Sequence, residues 1–185
     1  MDDDLSFETL SAETGLSTPI FDVVWRRSRG PGGKEARFVL VDAPRWANVV
    51  AVVSDGGRDC FLMVRQYRHG LGRAVWEFPG GMVEDGEDEA LAAGRELEEE
   101  TGWRAASLTL AGRVNPNASF MTNTVATYIA SGLSATGRQH FDENEFIRVG
   151  LIPVEKVIAE AGSGEFDQGI LLMALWFWQR AEKKS

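Results

Sequence analysis

Apolar and polar positions alternate in short bursts along most of this chain. Residues 19–28 (PIFDVVWRRS) and 35–42 (EARFVLVD) are rich in β-branched and aromatic types. They flank Gly30-Pro31-Gly32-Gly33, so the pattern predicts a β-hairpin. Further strands are predicted over 47–54 and 60–66, joined by Asp55-Gly56-Gly57, then over 107–114, 123–131 and 145–152. A glycine-rich break separates the second pair from a helix predicted over 88–101, where alanine and glutamate dominate and Gly102 sits at the position of a C-terminal cap. Leu91 and Leu97 are its core-facing candidates. Residues 133–144 read as a polar loop, 153–161 as a helix with Pro153 in its first turn, and 168–182 as a strongly apolar last helix. Strands and helices mixed in this order, without an internal repeat, predict an α+β domain with helices packed on a mixed sheet.

This pattern divides the chain into a loose acidic arm at 1–17, a hairpin subdomain at 18–44 and a main domain at 45–185. The length of 185 residues and an apolar fraction of 44% suffice to bury a core. The 28 acidic and 19 basic residues leave a net charge of −9, which disfavours nucleic acid or an anionic membrane as a partner. Small phosphorylated ligands stay open, because a bound cation inverts the local field. The single cysteine, Cys60, excludes an intrachain disulfide framework and is expected as a small core residue. No apolar run reaches the ~18 residues of a membrane span, and the Met1-Asp2-Asp3-Asp4 start lacks signal-peptide features. A soluble cytoplasmic protein is the expectation.

The chemistry concentrates between Gly81 and Trp103 (GMVEDGEDEALAAGRELEEETGW). On a helix, Glu96, Glu99 and Glu100 are three and four residues apart and share one face. Like charges so placed repel, and a divalent cation reverses that penalty. Clustered carboxylates suit a hard ion, Mg²⁺ or Mn²⁺, especially one that also meets substrate phosphates. Glu98 points elsewhere, toward solvent. Arg95 is placed to orient an acid through a charge-assisted bond, and Gly80 and Gly81 let backbone approach a ligand closely. A solvated acidic face is the plain alternative.

The spacing is more specific than an acidic run. Gly81, five residues, Glu87, seven residues, Arg95-Glu96-Leu97, one residue, Glu99-Glu100, one residue and Gly102 together resemble the Nudix box of Nudix hydrolases. Trp103 departs from the family's usual aliphatic residue but keeps its apolar character. The resemblance covers residues 45–182. It implies an α/β/α sandwich with a mixed sheet, and hydrolysis of a nucleoside diphosphate linked to another moiety. Glu96 and Glu100 match the family's main metal-ligand positions. Glu99, close by, is grouped with both the ligands and the catalytic acids. The Gly80 carbonyl matches a backbone ligand. Gly81, Glu87 and Arg95 match supporting positions, the last two through a salt bridge. In sugar-nucleotide members the general base commonly sits in a separate loop. Asp142-Glu143-Asn144-Glu145 offers Glu143 for that role, with Glu145 as second candidate or outer ligand.

Other segments are similar to the ADP-ribose and nucleoside-diphosphate-sugar pyrophosphatase branch. Val64-Arg65-Gln66-Tyr67-Arg68 places Arg68 to bind a diphosphate. Glu77 matches a substrate-contacting position, or else supports Arg68. Pro116 lies slightly short of the branch's downstream proline. Trp25, Trp46 and Phe120 are candidates to stack on a base, or are core. The branch also implies a homodimer formed through the N-terminal hairpin. His69 and His140 lack ligand spacing; each is a candidate to touch substrate, with a surface or loop role as the plainer reading. The alternatives are a hydrolase of GDP-mannose or another nucleoside diphosphate derivative, and a nucleotide-sugar-binding sensor without turnover.

Overall fold

The computed structural model describes residues 5–141 and 146–183, with Glu143 and Glu145 outside the described residues. Two compact units emerge, one from residues up to Pro44 together with Asn115–Thr124, the other from Arg45–Val114 and Val125 onward. The first holds three antiparallel strands, β1 (Glu8–Ser17), β2 (Asp22–Arg29) and β3 (Glu35–Asp42), in that order. The β2–β3 hairpin turns at Pro31–Gly33, where Gly32 and Gly33 adopt positive φ. β1 corrects the expected loose arm. Nearly every β1 residue is exposed, so the strand carries no buried alternation for a pattern reading to find. Loop 115–124 packs onto β3: Val41 N–H donates to Phe120 O at 2.8 Å, and Thr122 N–H to Val41 O at 3.1 Å.

The second unit runs β4 (Trp46–Val50), β5 (Val52–Asp55), β6 (Arg58–Arg68), β7 (Arg73–Glu77), β8 (Gly80–Met82), α1 (Glu89–Thr101), β9 (Trp103–Arg104), β10 (Ser107–Val114), β11 (Val125–Ser131), β12 (Ser134–Ala135), β13 (Arg148–Pro153), α2 (Val154–Glu160) and α3 (Gly169–Glu182). The expected strand 47–54 is interrupted at Ala51, where the chain passes from one sheet to another. β4 sits in the order β10-β11-β4-β8, with β11 parallel to it and the other pairs antiparallel. β5, β7 and β13 all pair antiparallel with β6. β7 and β8 fall within the glycine-rich break, too short to show a period.

Side-chain alternation places helices on opposite faces of this framework. Ala47, Val49, Ala51 and Leu62 pack with Ala92, Ala93 and Leu97 of α1. Val50, Phe61 and Met63 instead pack with Val157 of α2 and with Leu171, Ala174 and Leu175 of α3. β6 is buried on both faces, which is why its apolar run is continuous. The α1 side chain that the pattern misplaced is Leu91, 70% exposed, whereas Leu97 is fully buried. Pro153 precedes α2 rather than entering its first turn.

Candidate active site

The acidic helix α1 is fixed at both ends by its own sequence. Asp88 caps its N-terminus by accepting from the N–H groups of Ala90 and Leu91. At the other end Gly102 adopts φ 71° and donates its N–H to Glu98 O at 2.8 Å. Buried Glu89 holds the first turn, accepting from Arg45 at 3.1 Å and from both donors of Arg113. The segment after β12 covers the last turn. Thr136 N–H reaches Gly102 O at 2.7 Å, Gln139 Nε2 reaches Glu100 O at 2.9 Å, and His140 N–H reaches Glu99 O at 2.9 Å.

Strand β8 lies against α1 through two glycines. A Cβ at Gly80 would strike Ala47 O on β4, and one at Gly81 would strike the Glu96 carboxylate. The backbone N–H of Gly80 donates to Glu100 Oε2 at 2.8 Å, and Glu100 is 4% exposed. This is no solvated acidic face.

Arg95 is the electrostatic centre of the site. Its guanidinium donates to Glu87 through two nitrogens at 3.2 Å, to Glu96 at 2.7 Å, to Glu99 at 3.1 Å and to Met82 O at 3.2 Å. These carboxylates, Glu87 foremost, hold the Arg95 pKa above its ordinary value. In return the guanidinium holds the Glu87 carboxyl below the usual carboxylate range. Glu98, expected to face solvent, is only partly exposed and pairs with Arg104 at 2.8 Å.

A second cation stands on β6. Arg68 donates to Glu77 at 2.7 and 2.8 Å, a bidentate pair, and Glu77 is 5% exposed. Gln168, which caps α3 by accepting from Leu171 N–H at 2.6 Å, also reaches Glu77 at 3.4 Å. Glu77 is thus the bidentate partner of Arg68.

Of the residues expected in the site, Arg68, Gly80, Gly81, Arg95, Glu96, Glu99 and Glu100 line one cleft of about 330 Å³. Glu77 and Glu87 are bonded to two of these lining residues, Arg68 and Arg95. Trp46 lines it too, with Arg68 5.9 Å from its ring centre. Trp25 belongs to the other unit, where Gly15 lies close against its ring and Arg37 stacks over it at 4.2 Å. Phe120 also belongs to that unit. Gln66, Met82, Glu84 and His140 are lining residues that sequence reading did not assign to the site. His140 was a candidate to touch substrate, though not one assigned to the site. His69 packs edge-on against Tyr67.

Among the described residues, no three acidic or imidazole groups form a ready-made cation cage. The reason is visible: Glu96 and Glu99 already lean on Arg95. The donor set nevertheless fits a hard divalent cation, with three carboxylates beside the Gly80-Gly81 backbone and no Cβ to obstruct them. A carboxylate has about four acceptor sites, enough to serve Arg95 and a cation together.

Comparison with known proteins gives the chain relatives along almost its whole length. The NUDIX domain profile matches residues 44–173. The chain is 30% identical to an ADP-ribose pyrophosphatase of Bacillus subtilis, covering 96% of this chain and 95% of that one. It is 32% identical to an ADP-ribose pyrophosphatase of Mycobacterium tuberculosis, covering 90% and 80%. A crystal structure described as an ADP compounds hydrolase superposes with a TM-score of 0.83 at 21% identity, covering 97% and 95%, a likeness of fold.

Proposed function

This chain belongs to the NUDIX domain family of hydrolases, and we propose that it cleaves the pyrophosphate bond of ADP-ribose or a related nucleoside diphosphate sugar. The products are a nucleoside monophosphate and a sugar phosphate. The observation that carries this reading is the meeting of Glu96, Glu99 and Glu100 with Arg68 in one cleft. Near-full-length similarity to two ADP-ribose pyrophosphatases supports the choice of substrate.

The diphosphate is the hard part of such a substrate, because its oxygens repel a nucleophile. Glu96, Glu99, Glu100 and the Gly80 carbonyl would hold Mg²⁺ or Mn²⁺. When bound, such a cation supplies neutralisation of phosphoryl charge and acidification of water. Arg68 binds a phosphoryl group with its planar guanidinium, and Glu77 keeps it oriented. Arg95 and Glu87 keep the ligand carboxylates in place. We assign the general base to Glu143, with Glu145 as second candidate. Gly81 serves as space: its missing side chain leaves room for the Glu96 carboxylate.

We also propose that the protein works in the cytoplasm as a homodimer joined through the β1–β3 sheet. Phe7, Leu16, Phe38 and Val39 are exposed on that unit, and an uncovered sheet edge is an association surface. Sedimentation equilibrium tests the dimer.

A hydrolysis screen with Mg²⁺ and Mn²⁺ tests the activity, with ADP-ribose, GDP-mannose, UDP-glucose and NADH at equal concentration and products resolved by chromatography. Conversion of ADP-ribose to AMP and ribose 5-phosphate is expected. Release of a nucleoside diphosphate from GDP-mannose alone would overturn the substrate assignment. Tight binding without turnover would mark a sensor.

A further inference from the structure

We propose that His140 is a substrate-contacting residue: its imidazole donates a hydrogen bond to a phosphoryl oxygen of the bound nucleoside diphosphate derivative. This rests on the diphosphate reading of the cleft and adds a recognition element to it. Three observations carry it.

First, His140 lines the same cleft as Glu99, Glu100 and Arg68. Second, its place there is set by backbone. His140 N–H is bonded to Glu99 O at 2.9 Å, and the preceding Gln139 clasps Glu100 O at 2.9 Å. These bonds tie the residue to the C-terminal turn of α1, whose own side chains face the cleft. The His140 backbone is therefore held beside these acids, and side-chain substitution leaves that anchor intact. Third, the two arginines of the lining already serve acids. Arg95 serves Glu87, Glu96 and Glu99, and Arg68 gives two of its donors to Glu77. An imidazole N–H adds a donor from a separate chain segment, opposite in type to the carboxylates beside it. A phosphoryl oxygen is the acceptor that belongs among cation ligands and guanidinium groups. The role needs one N–H, which imidazole carries in either protonation state.

Histidine NMR offers a direct test because the chain has two histidines. With ¹⁵N-labelled imidazoles, saturation with the non-hydrolysable α,β-methylene analogue of ADP-ribose should shift the His140 resonances and leave His69 unmoved. Calorimetry with the same analogue should show roughly ten- to hundredfold weaker binding for His140→Ala, the size expected for one hydrogen bond to a charged group. His140→Gln, which retains an N–H donor, should recover most of it. Melting temperatures should stay level across the three proteins. KM for ADP-ribose should rise with kcat changed much less.

An unmoved His140 resonance overturns the proposal. So does an alanine variant that binds within twofold of wild type, or a kcat loss with unchanged affinity. Equal losses in the alanine and glutamine variants with a fallen melting temperature assign a packing role and overturn it too. Failure of the wild-type chain to bind the analogue refutes the diphosphate reading itself, and wild-type turnover of ADP-ribose tests that reading separately.

Discussion

Replacing Arg95 by alanine removes one guanidinium and strands three carboxylates. Arg95 makes three ion pairs, to Glu87, Glu96 and Glu99. Its side chain is 31% exposed, those of Glu87 and Glu96 17% and 15%, and that of Glu99 39%. A fully buried pair broken from one side costs about 3–5 kcal/mol, and an exposed one about 0–1 kcal/mol. The Glu87 and Glu96 pairs lie between these limits and the Glu99 pair near the lower one, so about 2–4 kcal/mol is expected. For a chain of this length that lowers the melting temperature by roughly 5–15 °C. Arg95→Lys keeps the charge but loses the two-pronged bond to Glu87, and should fall between.

The pH dependence carries the sign. Glu87 has its folded pKa held down by Arg95, so its contribution is present above the unfolded carboxylate value and is lost as pH falls through the folded one. Arg95→Ala should therefore flatten the acid limb of stability contributed by this pair. Thermal melts from neutral pH to pH 3, followed by circular dichroism, read both effects. Saturating Mg²⁺ should raise the melting temperature of the variant more than that of wild type, since a cation relieves the same repulsion. A variant melting within about 2 °C of wild type at neutral pH, with an unchanged acid limb, would refute the assignment of Arg95 as the neutralising centre.

Glu100→Gln retains an acceptor for Gly80 N–H but loses the charge, so it should fold normally and lose at least about a hundredfold in kcat with Mg²⁺. Wild-type activity in that variant would refute the ligand assignment. Gly81→Ala drives a methyl into the Glu96 carboxylate; a loss of about 1–3 kcal/mol and weaker Mg²⁺ binding by calorimetry are expected. The Glu165 pKa is held low by Arg65, its bidentate partner at 3.0 and 2.5 Å. Its stabilisation is present at neutral pH and is lost as pH falls below the carboxylate range, so Arg65→Ala should make unfolding less acid-sensitive, as denaturant titrations at pH 7 and pH 4 would show.

What the sequence disclosed divides by sequence distance. Helix α1, its glycine cap and strand β10 were legible because local propensity and spacing specify them. Arg95 as a partner for an acid of its own helix was legible from spacing too, and its salt bridge to Glu87 from the resemblance to the Nudix box. The strand β1 was not, because residues exposed along almost its whole length show no hydrophobic period. Glu89 was read only as a helix former, because Arg45 and Arg113 lie 44 and 24 residues away. The same holds for Gln168, which meets Glu77 across 91 residues. For His140 the sequence left substrate contact and a plain loop role open, since its place in the cleft depends on α1 carbonyls that only the folded chain presents.

The acids of α1 also break a local rule, and that breach separates a site from a charged surface. The negative end of a helix dipole disfavours carboxylates, yet Glu98, Glu99 and Glu100 occupy the last turn, which has no basic residue of its own. Each misplaced charge costs about 0.3–1 kcal/mol in an exposed helix. The fold offsets this from outside that turn. Arg104 takes Glu98, Arg95 takes Glu99, and the Gly80 N–H takes Glu100. Gln139 and His140 donate to the carbonyls of the same turn, reducing the partial negative charge that the acids feel. A solvated acidic face needs none of these partners, because water and salt screen it. Here Glu100 is held nearly dry against a backbone amide, an expensive place for a carboxylate. The proposed divalent cation, shared with a diphosphate, is the chemistry that would give a carboxylate so placed a use.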